Sequence, residues 1–430
     1  MKILKNHLAT LLVLTLAAAL LLSACGIAAT QTATVAVATT TESTASASEA
    51  ASNSSSATAA SSADNSGAFS DRDLSGEYDT DEAVTITLNG ASATADGDGV
   101  QIDGGDVTIT AAGTYVLSGT LDNGSIIVNV SKDDKVQLVL DGATIHSETF
   151  AAIYVVQADK VFVTLAGGSV NTLSNGGSYV QIDDNDVDAV VFAKDDVTFN
   201  GSGKLCISAA AGSGIVGKDE VTITDGVYEI SAAKHGIRAK DSLAIADGTF
   251  TISAGEDGLH AENSDDDTLG SIYIAGGSFT ITVGDDAIHA NTLLQIDGGS
   301  IILTAAEGLE ATYIQINGGD ISISASDDGV NAAYKSSAYT PTFEMNAGTL
   351  TVVMGAGDTD GIDSNGNIVI NGGTIDVTAQ SPFDYDGTAQ FNGGTLIVNG
   401  QQVDSIPNQM MGGGMGGMGD FGGMGGGRRP

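Results

Sequence analysis

The chain of 430 residues has no Trp, only 4 Pro and 2 Cys, and aromatic residues make up 5% of it. So few rings give no planar aromatic row of the kind that grips flat crystalline glucan; Tyr154, Tyr228, Tyr273, Tyr313 and Tyr334 are too scattered to form one. Collagen is excluded despite 58 Gly, because prolines are scarce and no Gly-X-Y register exists. Positive charge is also sparse, with 15 Lys and Arg against 54 Asp and Glu and a formal charge of −39. Such a field repels nucleic acid and anionic lipid, so neither is an expected partner. No convincing amphipathic helix is present. Stability must therefore come from strands, with bound divalent cations as a further source.

What the chain does have is a repeat. It reads DGTFTISAGEDGLHA from Asp247, AGGSFTITVGDDAIHA from Ala275, DGGSIILTAAEGLEA from Asp297 and NGGDISISASDDGVNA from Asn317, with a degenerate copy from Asn346. Its turn glycine falls at Gly226, Gly248, Gly277, Gly299, Gly319, Gly348, Gly373 and Gly394, in steps of 22, 29, 22, 20, 29, 25 and 21 residues. Periods of this size signal a solenoid. Each repeat offers three short strands: one like Leu294–Ile296 before the glycine, one like Phe279–Ile281 after it, and a Gly-hydrophobic-X-Ala strand. The expected fold is all-β, a single-stranded right-handed parallel β-helix, handed by the crossover rule. Some twelve rungs about 4.8 Å apart would give a rod of roughly 60 Å. Asn200, Asp225, Asp247, Asp297, Asn317, Asn346, Asn371 and Asn392 align at one corner as a structural ladder. The period is poor over 83–180, where an end cap is expected.

The N-terminus has a basic stretch with Lys2 and Lys5, an apolar run over 8–22, and then Leu22-Ser23-Ala24-Cys25. This is a secretory signal too short for a secure membrane span, and its ending resembles a bacterial lipobox with Cys25 as the lipidated residue. Loss of Lys2 and Lys5 takes the mature charge to −41. With Cys25 acylated only Cys206 remains, so no intramolecular disulfide can form. The expected organisation is a signal peptide over 1–24, Cys25 with an Ala/Ser/Thr-rich disordered tether over 25–72, a β-helix over 73–400 and a Gly/Met-rich tail over 401–430. The expected location is the extracellular face of the cell membrane. The membrane is touched only through the lipid on Cys25, and the protein is monomeric.

Three columns carry chemistry. The first stands before the Gly-hydrophobic strand: Asp257, Asp286, Glu307, Asp328 and Asp360, flanked by Glu256, Asp285, Asp327 and Asp358. The second is His260, His289, Glu310, Asn331 and Asp363, which alternation points away from the core. Carboxylates stacked on adjacent rungs repel by roughly a kcal/mol or more per close pair, which calls for a counter-ion. Ca2+ takes six to eight oxygens from carboxylates, carbonyls and water. The expected ligands are Asp257, Asp285, Asp286, Glu307, Glu310, Asp327, Asp328, Asp360 and Asp363. The alternative is a solvated acidic face that only aids solubility. Zinc is set aside at His260 and His289 because the sequence shows no third soft ligand beside them; outward packing or sugar contact suits them better. The third column is basic, with Lys194, Lys218 and Lys240, and with Lys234 and Arg238 close by. Each lysine of the column precedes an acid, so local salt bridges compete with a groove for acidic sugar.

The segments AGTYVLSGTL, KVQLVLDGATI and AIYVVQADKVFVTL, the repeated DDG[VI]xA and the Gly/Met tail together resemble the clostridial carbohydrate-binding parallel β-helix proteins. The resemblance covers about 83–400. It implies a pectate-lyase-like fold, calcium, and binding of cellulose or acidic plant polysaccharide, with calcium falling on the acidic columns above. The absence of Trp weighs against flat cellulose, and the acidic surface repels polygalacturonate unless calcium bridges the two. The expected function is a non-catalytic surface lipoprotein binding plant cell-wall polysaccharide (cellulose, polygalacturonate or both). Lys194, Lys218, Lys234, Arg238, Lys240, His260 and His289 are its candidate sugar contacts. A calcium-dependent polysaccharide lyase is the alternative, needing a Lys or Arg base beside the metal; its basic candidates lie some rungs before the strongest acidic stretch. A structural surface adhesin is a further alternative.

Overall fold

A computed structural model describes residues 67–357 and 359–407. The signal peptide, Cys25, most of the tether, Asp358 and the Gly/Met tail from 408 lie outside the described residues.

Alternating residues build the rungs. In Thr249–Ala254, Ser278–Val283, Ser300–Ala305 and Asp320–Ala325 every second side chain is buried, so Phe250/Ile252, Phe279/Ile281, Ile301/Leu303 and Ile321/Ile323 point inward. In Leu293–Ile296 and Tyr313–Ile316, Leu294, Ile296, Ile314 and Ile316 are fully buried, and the alternate Gln295 and Gln315 are buried as well, at 2% exposure each. Each strand pairs in parallel with its counterpart one rung on, in unbroken register; Phe250 opposes Phe279 and Ile252 opposes Ile281. Identical residues therefore stack. The rings of Tyr228, Phe250 and Phe279 stack nearly parallel, 4.9 and 4.6 Å apart, the spacing of neighbouring strands. The fold is a parallel β-helix with three strands per rung.

The Gly-hydrophobic-X-Ala strands form their own thirteen-stranded sheet, here the groove sheet. The other two columns join as one twenty-five-stranded sheet. The junction is the long strand Lys135–Ser147, which pairs through 135–140 with Lys160–Leu165 and through 144–147 with Val170–Asn175.

The corner between those two columns explains the repeated glycine. Gly248, Gly277, Gly299, Gly319 and Gly348 have φ of 134, 107, 102, 92 and 86°, a region open to glycine. The expected side-chain ladder forms from Asp297 to Asn392 only; Asp225 and Asp247 instead accept from the N–H of the next glycine, and Asn200 donates to the Asp73 and Ser75 carbonyls, because the segment 69–75 covers it. Asn317 donates to Asp297 (2.7 Å), and Asn346, Asn371 and Asn392 each donate to the previous Asn at 2.8 Å.

Both ends are closed by antiparallel pairing, which blunts the exposed sheet edges. Val84–Gly90 pairs with Ala93–Ala95, Val100–Asp103 with Asp106–Ile109, and at the far end Thr395–Val398 with Gln401–Val403. Residues placed above in the tether and tail therefore belong to the packed structure. Gln401–Val403 is a closing strand. Residues 69–75 form a clasp around the short helix Asp71–Leu74, with Ser70 as its cap. Phe69 stacks on Tyr273, Arg72 lies 4.8 Å over the Phe162 ring, and buried Asp73 accepts from Thr198 Oγ1 at 2.6 Å and pairs with Lys160 at 2.7 Å. Composition hid this, because the clasp is too short to carry a period.

Candidate functional site

The outward side chains of the groove sheet change character along its length. In register they run Tyr154, Phe192, Val216, Arg238, His260, His289, Glu310, Asn331 and Asp363. The first three are apolar and join a second hydrophobic cluster on the outside of the sheet, with Phe150, Val187 and Ala189. Segment 176–188 crosses this end; Asp183 accepts from Tyr154 Oη, and Tyr179 packs against the cluster. Beyond it the row turns ionisable and lines a cavity of about 430 Å3, together with His235, Asp257, Glu262, Asp285, Asp286, Glu307 and Lys335.

The second column does point away from the core, since Leu259, Ala261, Ile288 and Ala290 on either side are fully buried. Outward does not mean exposed here. His260, His289 and Glu310 keep only 7, 9 and 4% of their surface. Two insertions, which account for the 29-residue steps, stand beside the row: Ser336 of 333–341 hydrogen-bonds through Oγ to the Asp267 carbonyl of 262–270, and the Ser337 N–H donates to Asp267 Oδ2 at 3.1 Å. From the second insertion Lys335 reaches Glu310, Nζ to Oε1 2.8 Å.

His235 is the residue that sequence reading missed. In KHGIRA it takes the place that Asp257 holds in EDGLHA, one rung earlier, because Arg238 is in register with His260. A third imidazole therefore does stand beside the other two. The rings of His235 and His260 lie 4.6 Å apart, and those of His260 and His289 4.8 Å. The signal was the shared Gly-hydrophobic-X-Ala frame. Lys335 and Glu262 carried none, since both lie in the connecting segments after the strand.

Charge is compensated unevenly. Asp257 is buried, which pushes its carboxyl up, but hydrogen bonds with His235 (3.2 Å) and His260 (2.6 Å) and the Asp286 N–H (3.0 Å) hold it well below the usual range. His289 Nδ1 lies between Asp286 Oδ2 (2.8 Å) and Glu310 Oε2 (2.7 Å). Burial disfavours its charge, yet those two carboxylates raise it to about 10. Glu310 is held low against burial by His289 and Lys335, whereas burial and the Glu310 charge push Asp286 up. Glu307 forms no salt bridge among the described residues: burial and the charges of Glu310, Asp286 and Asp328 push it up to about 8, against a hydrogen bond from Asn331. Farther along, burial and mutual repulsion push Asp328 to about 6 and Asp363 to about 7; the Asp328 carboxylate also accepts from the Asp360 N–H at 3.2 Å.

The structure thus brings Asp257, Asp285, Asp286, Glu307 and Glu310 into one cavity, sets Asp328, Asp360 and Asp363 in an acidic knot beyond it, and leaves Asp327 exposed. Asp286, Glu307 and Glu310 present three carboxylate oxygens within 4.8 Å of one another. Oxygens bound to one Ca2+ at 2.3–2.6 Å lie no more than about 5 Å apart, so this trio fits a hard dication, whose charge would offset the repulsion that keeps Glu307 protonated.

Of the basic column, Arg238 alone lines the cavity. Lys194, Lys218 and Lys240 stack at the corner after the strand, each N–H bonded to the rung before. Lys218 lies 5.4 Å over Phe192, Lys240 pairs with Asp265 at 2.6 Å, and Lys234 lies 3.5 Å from Asp188. They flank the groove without forming a patch inside it.

The model of the family described as "Carbohydrate-binding domain-containing protein" matches residues 103–358 and 309–405. A protein of Acetivibrio thermocellus with the same description is 36% identical over 137 residues, 31% of this chain and 48% of the relative. The chain thus spans about half the length of that relative. A solved structure described as the polysaccharide lyase-like protein from C. thermocellum, in a gadolinium derivative, is 24% identical with a TM-score of 0.46, covering 72% of this chain and 100% of that one. With the family model matched over most of its length, the chain belongs to the carbohydrate-binding domain-containing proteins.

Proposed function

We propose that this protein binds acidic plant cell-wall polysaccharide, of the polygalacturonate type, along the groove sheet, with calcium bridging protein and uronate carboxylates. One observation carries the reading: an unbroken row of outward ionisable side chains, from half-buried Arg238 through buried His260, His289 and Glu310, lines a single cavity on a carbohydrate-binding solenoid. Asp286, Glu307 and Glu310 would hold the cation; bound, it offsets their mutual repulsion and leaves coordination positions for a sugar carboxylate. Arg238, with a planar fork of donors, suits a second carboxylate. Cellulose is the less favoured ligand, because Tyr154 and Tyr228 are buried and no exposed aromatic row exists among the described residues. Display on the outer face of the membrane through a lipid on Cys25 completes the proposal.

Catalysis as a lyase is the second reading, favoured by Arg238 and Lys335 lining the same cavity as the acidic trio. Abstraction of the C5 proton of a uronate by a Lys or Arg needs that side chain unprotonated. Lys335 is partly buried, which lowers it, but its bond to Glu310 outweighs burial and holds it protonated. An arginine guanidinium stays charged. The non-catalytic reading therefore stands first. The test is retention of the full chain on polygalacturonate, cellulose and xylan gels in calcium and in EDTA, with absorbance of unsaturated uronate read in the supernatant. Calcium-dependent retention on polygalacturonate without product is expected. Product would establish the lyase, and no retention on any gel would overturn both.

A further inference from the structure

We propose that His235, Asp257 and His260 form a site for a borderline divalent cation of the zinc class, separate from the all-oxygen trio. The inference stands whether or not calcium binds at Asp286, Glu307 and Glu310.

The geometry is convergent. Both imidazoles turn Nδ1 toward one oxygen, Asp257 Oδ2, at 3.2 Å from His235 and 2.6 Å from His260. The rings are tilted by 34°, whereas His260 and His289 are tilted by 16°. Three ligating atoms, one from each residue, lie within 4.8 Å of one another. A tetrahedral ion with bonds of about 2.0–2.1 Å needs ligand atoms about 3.3 Å apart; the His235–Asp257 distance already matches that spacing, and His260 would draw back from the carboxylate to admit the ion. The ion would take the place of the proton between His260 Nδ1 and the carboxylate, and His235 Nδ1, which now accepts the Asp257 N–H at 3.4 Å, would turn its lone pair to the ion.

The surroundings suit a metal more than a plain ion pair. Asp257 is fixed through its other oxygen, which accepts the Asp286 N–H at 3.0 Å. The far nitrogen of each ring also meets a carboxylate: His235 Nε2 lies 3.1 Å from Glu256 and His260 Nε2 3.4 Å from Glu262. A carboxylate behind each ligating imidazole fixes its tautomer and strengthens the ligand. Asp257, Glu256 and Glu262 outweigh the nearby charge of Arg238. His289 does not join the site, since Asp286 and Glu310 already hold its Nδ1. Imidazole nitrogens with one carboxylate select zinc-class ions over calcium. Three protein ligands leave a fourth position toward the cavity, for water or a carboxylate of an acidic sugar.

The test is titration of the full chain with Co2+ in excess Ca2+, followed by competition with Zn2+. One equivalent of Co2+ with ligand-field bands of tetrahedral intensity, displaced by Zn2+, is expected. His235→Asn and His260→Asn should each weaken it by at least about 100-fold, beyond the roughly 10- to 100-fold of losing an outer partner, while His146→Asn, on another face, leaves it unchanged. His235 lies in a turn between strands, so its variant keeps every rung pairing and decides the matter if His260→Asn fails to fold. Weak octahedral bands, displacement by Ca2+, or equal binding by His235→Asn and the parent would overturn the proposal.

Discussion

Lys335 Nζ sits 2.8 Å from Glu310 Oε1, although an intervening turn of the coil separates them in sequence. Glu310 is also 2.7 Å from His289, so one nearly buried carboxylate takes two cations from different parts of the coil. Replacing Lys335 by Met leaves that carboxylate short of a donor, at an expected cost of about 1–3 kcal/mol. Calcium should restore most of the loss by supplying charge. Thermal melts in EDTA and in calcium check this; an unchanged melting temperature in EDTA would show that the pair is idle.

Glu307 is raised to about 8, and His289 to about 10. Both folded values exceed the unfolded ones, so the folded state holds the extra protons. Each group stabilises fully below its unfolded pKa and loses that contribution as pH rises through its folded one. In EDTA, stability should fall from about pH 4.5 to pH 8 through Glu307, and from about pH 6.5 to pH 10 through His289. Glu310, held low, acts oppositely, and its contribution is lost as pH falls below about 4.5. Glu307→Gln should flatten the first of these slopes. Denaturant titrations across the range measure it, and a parent profile flat between pH 5 and 8 would contradict the unpaired carboxylate.

Calcium binding should depend on the same residue. Glu307→Gln is isosteric and removes one charge from the trio, so calcium affinity should drop by at least about tenfold, the scale of one lost charge-assisted contact of 1.5–3 kcal/mol. Gel retention on polygalacturonate should fall with it. Calorimetry showing equal calcium affinity for parent and variant would move the cation elsewhere.

Gly348 tests the corner. Its φ is 86°, and a Cβ there would lie 2.6 Å from the Gly319 carbonyl oxygen on the neighbouring rung. Gly348→Ala should cost roughly 1–3 kcal/mol through backbone strain and that clash, while Ser324→Ala, on the outer face of the same coil, should change little. A melt within a degree of the parent would show that the corner can open.

Much of the fold was legible in the chain. Strand alternation, the Gly period and the Asn/Asp corner act between residues close in sequence or one period apart, and the parallel register repeats each choice on every rung. The same register placed Asp286, Glu307 and Glu310 together before any coordinates, because stacked positions in a solenoid are neighbours by construction. His235 was legible in principle from its place in the Gly-hydrophobic-X-Ala frame, but a histidine among acids broke the pattern.

The sequence by itself determined the rung, its three strands and the direction in which His260 and Glu310 point, since period-2 alternation settles which side faces the core. Only the tertiary structure decided that His260, His289 and Glu310 of the outward row are buried, that Lys335 and Arg238 share its cavity while Lys194, Lys218 and Lys240 remain beside it, and that Ser70–Asp73 clasps the flank. Those outcomes depend on insertions and termini that carry no period. Their positions follow from contacts such as Ser336 with Asp267 and Asp73 with Lys160, which join residues many rungs' worth of sequence apart.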